Sequence, residues 1–215
     1  MTPLVLLRHG PTAWTRQHRL QGRADLPLDE AARETVRGWR LPSDLGDLLW
    51  FTSPLTRCVD TVVVLGLDAV VAPELVEMDW GRWEGRTIAE LRADPAQTFD
   101  AMEARGLDLE PPGGESPRAV QVRLKPFLQE IAAVGMPTGA ITHKGVIRAL
   151  LALALDWDMR EPEPVKLAWD AVHMFRLEAD GRPHVERLNR SIVSKPHCVD
   201  DMRPSTHVPS GRGSG

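Results

Sequence analysis

Short apolar runs alternate with helix-like stretches along this chain, and that alternation constrains the fold more than any other feature of the sequence. The runs that have the length and residue types of strands cover residues 4–7, 48–52, 69–71, 140–142, 172–177 and 184–188. The last two runs flank Asp180-Gly181, a dipeptide typical of a hairpin turn. The pattern predicts the α/β class, as a three-layer α/β/α sandwich with a mostly parallel sheet and an antiparallel edge strand.

Capping residues predict where the helices between these strands begin. Asp29 is a candidate N-cap. Ser53-Pro54 and Ser116-Pro117 each combine a capping residue with a proline suited to the first helical position, so each opens a predicted helix. An apolar helix is also predicted over residues 146–155, directly after the segment His143-Lys144-Gly145.

The length of 215 residues suits one domain, which we predict over residues 1–195. Residues 73–86 carry no clear period, and a break of prolines and glycines follows at 111–114. Residues 73–86 are therefore predicted to form a long loop. Residues 196–215 are rich in Pro, Ser, Gly and polar residues, which predicts a disordered tail.

Composition excludes several classes of partner. The net charge of −4 and the lack of a basic stripe argue against nucleic acid. No apolar run approaches the roughly 20 residues that span a bilayer, and no secretory signal is visible, so we expect a cytoplasmic protein without a membrane partner. Cys58 and Cys198 are the only cysteines, and their spacing suggests neither a disulfide framework nor a zinc site.

Positively charged and imidazole side chains follow three of the predicted strands. Arg8 and His9 come directly after the first strand, Arg57 lies in the first turn of the helix after the second, and His143 follows residues 140–142. Because the carboxyl ends of parallel strands meet at one edge of a sheet, we expect these four side chains to converge. Guanidinium groups match phosphate oxygens, so the sequence predicts a phosphate site at this edge.

A neutral imidazole in such a site would be a nucleophile toward phosphorus. Its other ring nitrogen must then carry a proton, which we expect a backbone carbonyl to accept. A leaving alkoxide also needs a proton, and a carboxylic acid is its natural donor. Residues 77–85, within the loop at 73–86, offer three candidates, Glu77, Asp79 and Glu84.

The order of these motifs resembles the histidine phosphatase superfamily, in its phosphoglycerate-mutase-like branch. Six segments within about residues 4–155 match that pattern in family order: Arg8-His9-Gly10 with Thr12 and Trp14; Arg19-Leu20-Gln21-Gly22 with Asp25, Pro27 and Leu28; Ser53-Pro54-Leu55-Thr56-Arg57; Glu77 to Gly85; Gly114-Glu115-Ser116; and His143-Lys144-Gly145-Val146-Ile147-Arg148. One such motif recurs by chance, whereas six in order are specific.

The resemblance implies a function and a role for each site residue. His9 would be phosphorylated transiently, with Arg8, Arg57 and His143 holding the phosphoryl group. Glu77 would act as general acid toward the leaving group and then as base for water. The resemblance also implies an α/β/α fold with a small cap within about residues 73–114, formed by the loop 73–86 and residues 87–114. It implies no metal, no cofactor and a small phosphorylated substrate, and it leaves a homodimer open.

Six further positions are expected to contact the substrate. Separately, three positions of the chain depart from the family's pattern. The expected contacts are Thr15, Gln21, Gly22, Glu115, Ser116 and Lys144. Pro11 stands where the family commonly has Glu, and Thr15 stands where a phosphate-binding Asn is common. Lys144 replaces a common glycine, where its charge would either bind a second anionic group or crowd the pocket.

Three functions are consistent with these residues. The first is a metal-independent phosphomonoesterase that acts through phosphohistidine at His9. The second is a phosphoglycerate mutase, which would need a fuller cap to shield its phosphohistidine from water, and only 28 residues separate Gly85 from Gly114. The third is a catalytically impaired protein that only binds phosphorylated ligands, which the departures at Thr15 and Lys144 keep open.

Overall fold

A computed structural model of the chain describes residues 1–192. Six strands form one sheet in the order β3-β2-β4-β1-β5-β6. Strands β1 to β4 are parallel to one another, whereas β5 pairs antiparallel with both β1 and β6. The predicted mostly parallel sheet with an antiparallel edge is therefore confirmed. In chain order the strands are β1 (Thr2–Arg8), β2 (Leu49–Thr52), β3 (Ala69–Val71), β4 (Thr138–Thr142), β5 (Ala171–Leu177) and β6 (Pro183–Ser191).

Helices cover both faces of the sheet and make the three layers that the alternation predicts. Successive side chains of β1 enter opposite layers, because strand side chains alternate between faces. Leu4 and Leu6 pack in the core under α6 and α7, while Val5 and Leu7 pack in the core under α2 and α3. In chain order the helices are α1 (Ala13–Arg16), α2 (Glu30–Arg37), α3 (Thr56–Leu65), α4 (Ile88–Ala93), α5 (Phe99–Glu103), α6 (Pro117–Val134) and α7 (Lys144–Ala154).

The register of the central strands brings three carboxyl ends to one edge. Arg8, the last residue of β1, lies beside Thr142, the last residue of β4. On the other side of β4, Thr52 at the end of β2 lies beside Ile141. The residues that follow these strands therefore face one crevice, as open α/β sheets require.

Two helix starts differ from the sequence prediction. Helix α3 begins at Thr56 rather than at Pro54, and the carboxylate of Asp25 accepts hydrogen bonds from the Thr56 amide and hydroxyl at 2.7 and 2.8 Å. The N-cap position is Leu55 rather than Ser53, whose hydroxyl accepts from the Leu55 amide at 3.3 Å and also bonds to His143. Helix α7 begins at Lys144, two residues before the predicted start, because a distant carboxylate satisfies an amide of its first turn.

Residues 73–114, the cap, combine short helical turns with α4 and α5. Trp83 is fully buried in this segment and lies 5.1 Å from the ring of Phe99, so the cap is tied to the core. None of the helices within residues 1–192 is long and apolar enough to cross a membrane. The predicted disordered tail at 196–215 lies outside the described residues, and the division at residue 195 stays a prediction.

Candidate active site

His9 lies directly after β1 and is 4% exposed. Its Nδ1 atom donates a hydrogen bond to the backbone carbonyl of Gly10 at 2.7 Å, as the sequence argument expects for a nucleophilic imidazole. Burial, followed by the positive charges of Arg8 and Arg57, holds the pKa of His9 well below its ordinary value. The ring is therefore neutral at physiological pH, with a lone pair on Nε2.

Gly10 allows the chain to pass close to α2. A Cβ atom at this position would lie 2.5 Å from a methyl group of Val36, closer than side chains approach. The amide of Gly10 donates to the hydroxyl of Thr61 on α3 at 2.9 Å. The segment that carries His9 is thus fixed between two helices, which limits the movement of the imidazole.

Arg57 is the second residue of α3 and is fully buried. Its Nη1 and Nη2 atoms donate to the carbonyls of Ala24 and Gly22 at 2.9 and 2.7 Å, and its Nε atom donates to His143 at 3.3 Å. A guanidinium has five N–H groups. Among partners within residues 1–192, these three bonds use three of them and leave two N–H groups for an anion.

His143 follows β4, and its ring centroid lies 5.1 Å from that of His9. Its Nδ1 atom accepts from Arg57, which leaves Nε2 to donate to the hydroxyl of Ser53 at 2.7 Å. Burial, then the proximity of His9 and the charge of Arg57, holds the pKa of His143 well below its usual range. The thiol of Cys58 completes this packing, 3.4 Å from Nε2.

Glu77 reaches the site from the cap and is 7% exposed. One carboxylate oxygen accepts from the Met78 amide at 2.8 Å, and the other accepts from the Gly145 amide in the first turn of α7 at 3.2 Å. Burial raises the pKa of Glu77, although Arg57 and these two amides act in the opposite direction. Gly145 is required here, because a Cβ atom would lie 2.4 Å from the carboxylate.

A cavity of about 870 Å³ opens in front of these residues and extends under the cap. Arg8, His9, Glu77 and Lys144 form part of its wall. Arg57 and His143 are not among the residues that line it, so they lie one layer behind the surface that a substrate first meets. The structure thus brings together all five residues predicted as catalytic, in two layers.

Arg8 points toward Trp169, in the segment between α7 and β5. The guanidinium carbon lies 5.3 Å from the centroid of the indole ring. The Nε atom of Arg8 is buried, and within residues 1–192 it has no hydrogen-bond acceptor. Arg8 is therefore held by the aromatic face and keeps donors for a ligand.

Thr15 and Gln21, two of the predicted substrate contacts, line the cavity, and a third, Gly22, contacts Arg57. Thr15 lines the cavity, and its hydroxyl closes the first turn of α1 by accepting from the Thr12 amide at 3.3 Å. Gln21 is 8% exposed, lines the same cavity and donates to the Thr12 hydroxyl. Gly22 serves Arg57 through its carbonyl, and the carboxylate of Glu84 accepts from the amides that follow.

The other three predicted contacts differ in position. Glu115 and Ser116 are not among the residues that line the cavity. The carboxylate of Glu115 pairs with Arg123 at 2.8 Å, and the Ser116 hydroxyl caps α6 by accepting from Ala119 at 3.2 Å. Lys144 does line the cavity.

Both departures near the first motif border a second, smaller cavity. Pro11 and Thr15 line it, together with His9, Arg8, Trp169 and others, and its volume is about 370 Å³. Proline is smaller than the glutamate, and threonine reaches less far than the asparagine, that the resemblance would place at these positions. The sequence departures thus coincide with space beside His9.

Sequence reasoning missed the roles of Ser53 and Trp169. Ser53 precedes a proline, a pattern that predicts a helix N-cap. That pattern gives no indication of the hydrogen bond between Ser53 and His143, 90 positions away. Trp169 lies in a segment with no helical or strand period, so no local pattern singles it out. Arg148 falls within the last matched motif, and it lines the cavity too. Residues 1–192 hold no group of three or more His, Cys, Asp or Glu side chains arranged to bind a metal ion.

The fold and this site define an α/β/α protein with a buried histidine–arginine centre for an anion. The chain matches the family model of the histidine phosphatase superfamily (branch 1) over residues 4–191. The protein therefore belongs to the histidine phosphatase superfamily, and the family predicted from the sequence motifs is confirmed.

Three similar proteins place the chain within the range of this family. The bifunctional protein Rv2228c of Mycobacterium tuberculosis is 33% identical over 88% of this chain and 54% of its own length. The chain thus spans about half the length of the first curated relatives it matches. A 2,3-bisphosphoglycerate-dependent phosphoglycerate mutase 2 of Gloeobacter violaceus is 30% identical over 95% of each chain. A mycobacterial glucosyl-3-phosphoglycerate phosphatase, solved with inorganic phosphate, has a TM-score of 0.73 and 27% identity over 89% of this chain and 99% of its own.

Proposed function

We propose that this protein is a phosphomonoesterase that hydrolyses a small phosphorylated metabolite through a phosphohistidine at His9. The observation that carries the proposal is the hydrogen bond from His9 Nδ1 to the Gly10 carbonyl, which leaves Nε2 free and aimed from a buried, cationic wall. The similarity to a glucosyl-3-phosphoglycerate phosphatase supports the same class of reaction.

In the first step, His9 Nε2 attacks phosphorus and the bond from phosphorus to the ester oxygen breaks. Charge on the transferred group would be stabilised by Arg8 at the cavity wall and by the two remaining N–H groups of Arg57. His143 would contribute by orienting Arg57, since its Nδ1 atom accepts from that guanidinium. Glu77, whose pKa is raised by burial, would be the acid that protonates the leaving alkoxide.

In the second step, water attacks the phosphohistidine. Glu77, now a carboxylate, takes a proton from the water, the bond between nitrogen and phosphorus breaks, and neutral His9 and inorganic phosphate are released. The proposal includes independence from metal ions, because two guanidinium groups would supply the positive charge that a metal supplies elsewhere.

The labelling experiment uses a ³²P-labelled phosphate ester, quenched during turnover. Wild type is expected to carry acid-labile, base-stable label, and His9→Ala to carry none and to lose activity by a factor on the order of 10⁴ or more. His184→Ala, on β6 and outside the residues that line the cavity, is the control and should keep its label. Activity should be unchanged in EDTA.

Two results would contradict the proposal. If wild type forms no phosphohistidine, and His9→Ala binds a phosphate ester as well as wild type does, the protein is a binding module. If activity is lost in EDTA and restored by a divalent cation, the metal-independent reaction is wrong.

Phosphoglycerate-mutase activity is the second candidate, favoured by the 30% identity to a mutase over 95% of both chains. A mutase must hold its phosphohistidine away from water. The cavity here is about 870 Å³ and has charged side chains along its wall, which suits access by water. Conversion of 3-phosphoglycerate to its 2-isomer, dependent on 2,3-bisphosphoglycerate and faster than release of phosphate, would establish the mutase instead.

A further inference from the structure

Lys144 and Arg8 are held by the same aromatic ring at the wall of the large cavity. The Nζ atom of Lys144 lies 5.5 Å from the centroid of Trp169, and the Arg8 guanidinium carbon lies 5.3 Å from it. Lys144 follows His143 directly, so it stands beside the reaction centre without being part of it. One indole thus holds two cations that face the same space.

Lys144 carries a charge that no carboxylate in the described part of the chain contacts directly. Within residues 1–192, no carboxylate lies within the 4.0 Å of an ion pair from its ammonium group. Arg148, one turn further along α7 and also at the cavity wall, differs because Glu163 pairs with it at 2.8 Å. Burial, followed by the charges of Arg148 and Arg8, lowers the pKa of Lys144.

The place of Lys144 at the start of its helix makes its positive charge still less favourable. It is the first residue of α7, where the helix dipole favours negative rather than positive charge. A cation held at this end, beside two other cations, is stabilised when an anion binds. The transferred phosphoryl group already has Arg8 and Arg57, so the ammonium group is left for another part of the substrate.

We propose that Lys144 is a specificity-determining residue that binds a second anionic group of the substrate, a carboxylate on the leaving-group side of the phosphoester. A carboxylate fits better than a second phosphate because Arg148, the other cation of this helix at the cavity wall, is already paired with Glu163. Trp169 would position the ammonium group. The inference rests on the proposed function, since it assumes that the phosphoryl group is bound at His9.

Two ligands that differ mainly in a carboxylate test the proposal by calorimetry. They are 3-phosphoglycerate and glycerol 3-phosphate, titrated into the His9→Ala protein so that neither is turned over. The carboxylate ligand is expected to bind about tenfold more tightly, as a charge-assisted hydrogen bond allows. Adding Lys144→Met should remove this preference, and Trp169→Leu should reduce it. Lys125→Met, an exposed lysine on α6, should leave it unchanged.

Turnover of p-nitrophenyl phosphate separates the alternatives. Lys144→Met with His9 intact should lose about tenfold less kcat/KM toward this ester than toward 3-phosphoglycerate, because this ester carries no second anion. Lys144→Met could instead lose equal affinity for 3-phosphoglycerate and glycerol 3-phosphate, with a large fall in kcat for p-nitrophenyl phosphate. That result would mean that Lys144 binds the phosphoryl group itself, which overturns the proposal. Equal binding of the two ligands before any change at Lys144 also overturns it. Failure of the proposed function has a different signature: no hydrolysis of p-nitrophenyl phosphate by wild type, whatever the binding preference.

Discussion

The reaction centre and the cap are held together by different kinds of interaction. Arg57, His143 and Ser53 are fully buried, and each is hydrogen-bonded to a residue from a different part of the chain. On the cap, Arg92 pairs with Asp100 at 2.9 Å and with Glu103, and all three side chains are about half exposed or more. Exposed pairs contribute little to stability, whereas a buried charge must keep every partner.

The comparison indicates which part of the molecule tolerates amino-acid substitution. The chemistry proposed at His9 would depend on a few buried groups, each of which leaves a partner unsatisfied if it is removed. Apart from Glu77, we expect the cap side of the cavity wall to tolerate substitution without disturbing that centre. Members of one family can therefore share a reaction and differ in substrate, and the predictions below test this division from the strongest expected effect to the weakest.

Arg57→Ala should affect rate and stability together. The change removes a buried cation from two backbone carbonyls and from His143, and leaves those acceptors without a donor. We expect kcat/KM to fall about 10³-fold and the free energy of unfolding to fall by about 3 kcal/mol. Steady-state kinetics and urea denaturation measure the two effects.

Arg57→Lys is the matched variant for this test. It keeps the charge but loses the planar fork that reaches the carbonyls of Gly22 and Ala24 and the ring of His143. Its stability should lie between those of wild type and Arg57→Ala. Wild-type kinetics in Arg57→Ala would contradict a role for the buried layer in the reaction.

Glu77→Gln should reduce activity in a way that depends on the leaving group and on pH. Burial raises the pKa of Glu77, so the protonated acid persists to higher pH than in an ordinary glutamate and is lost as pH rises through that value. For an alkyl phosphate, wild-type kcat should therefore fall on the alkaline side. The glutamine variant should be about 10²-fold slower and lack that limb.

The nitrophenolate leaving group needs little protonation, so p-nitrophenyl phosphate is the control substrate for Glu77→Gln. The variant should lose much less activity toward this ester than toward the alkyl phosphate. Equal losses toward both would mean that Glu77 is not the acid. Asp79 is the alternative carboxylate, and Asp79→Asn is expected to leave the pH profile intact.

Arg92→Ala should have the smallest effect. The guanidinium carbon of Arg92 lies 5.4 Å from the centroid of the Phe99 ring, and the side chain forms exposed ion pairs within the cap. None of these contacts involves His9. We expect kcat for p-nitrophenyl phosphate to change less than about twofold and the melting temperature to move by no more than about 2 °C. A loss of activity comparable to that of Arg57→Ala would show that the cap and the centre are not independent.

Much of the fold was predictable because its signals are local. The alternation of strand and helix patterns predicts the sheet and its layers, and the start of α6 at Pro117 follows from Ser116 and that proline. The starts of α3 and α7 were not predictable, because Asp25 and Glu77 reach their first turns from 31 and 68 positions away. A capping rule reads neighbours in sequence and cannot see a partner supplied by folding.

The sequence by itself determined the family, the class of fold and the residues that gather at the sheet edge. Strand ends and ordered motifs can be recognised directly from the order of residues along the chain. Only the tertiary structure decided how those residues divide. It places Arg8, His9 and Glu77 at the cavity wall and Arg57 and His143 behind it, and it turns Glu115 and Ser116 away to an ion pair and a helix cap. It also sets Trp169 beneath Arg8 and Lys144. The physical reason is that burial and hydrogen-bond partners depend on distances between segments far apart in the chain, which no local pattern records.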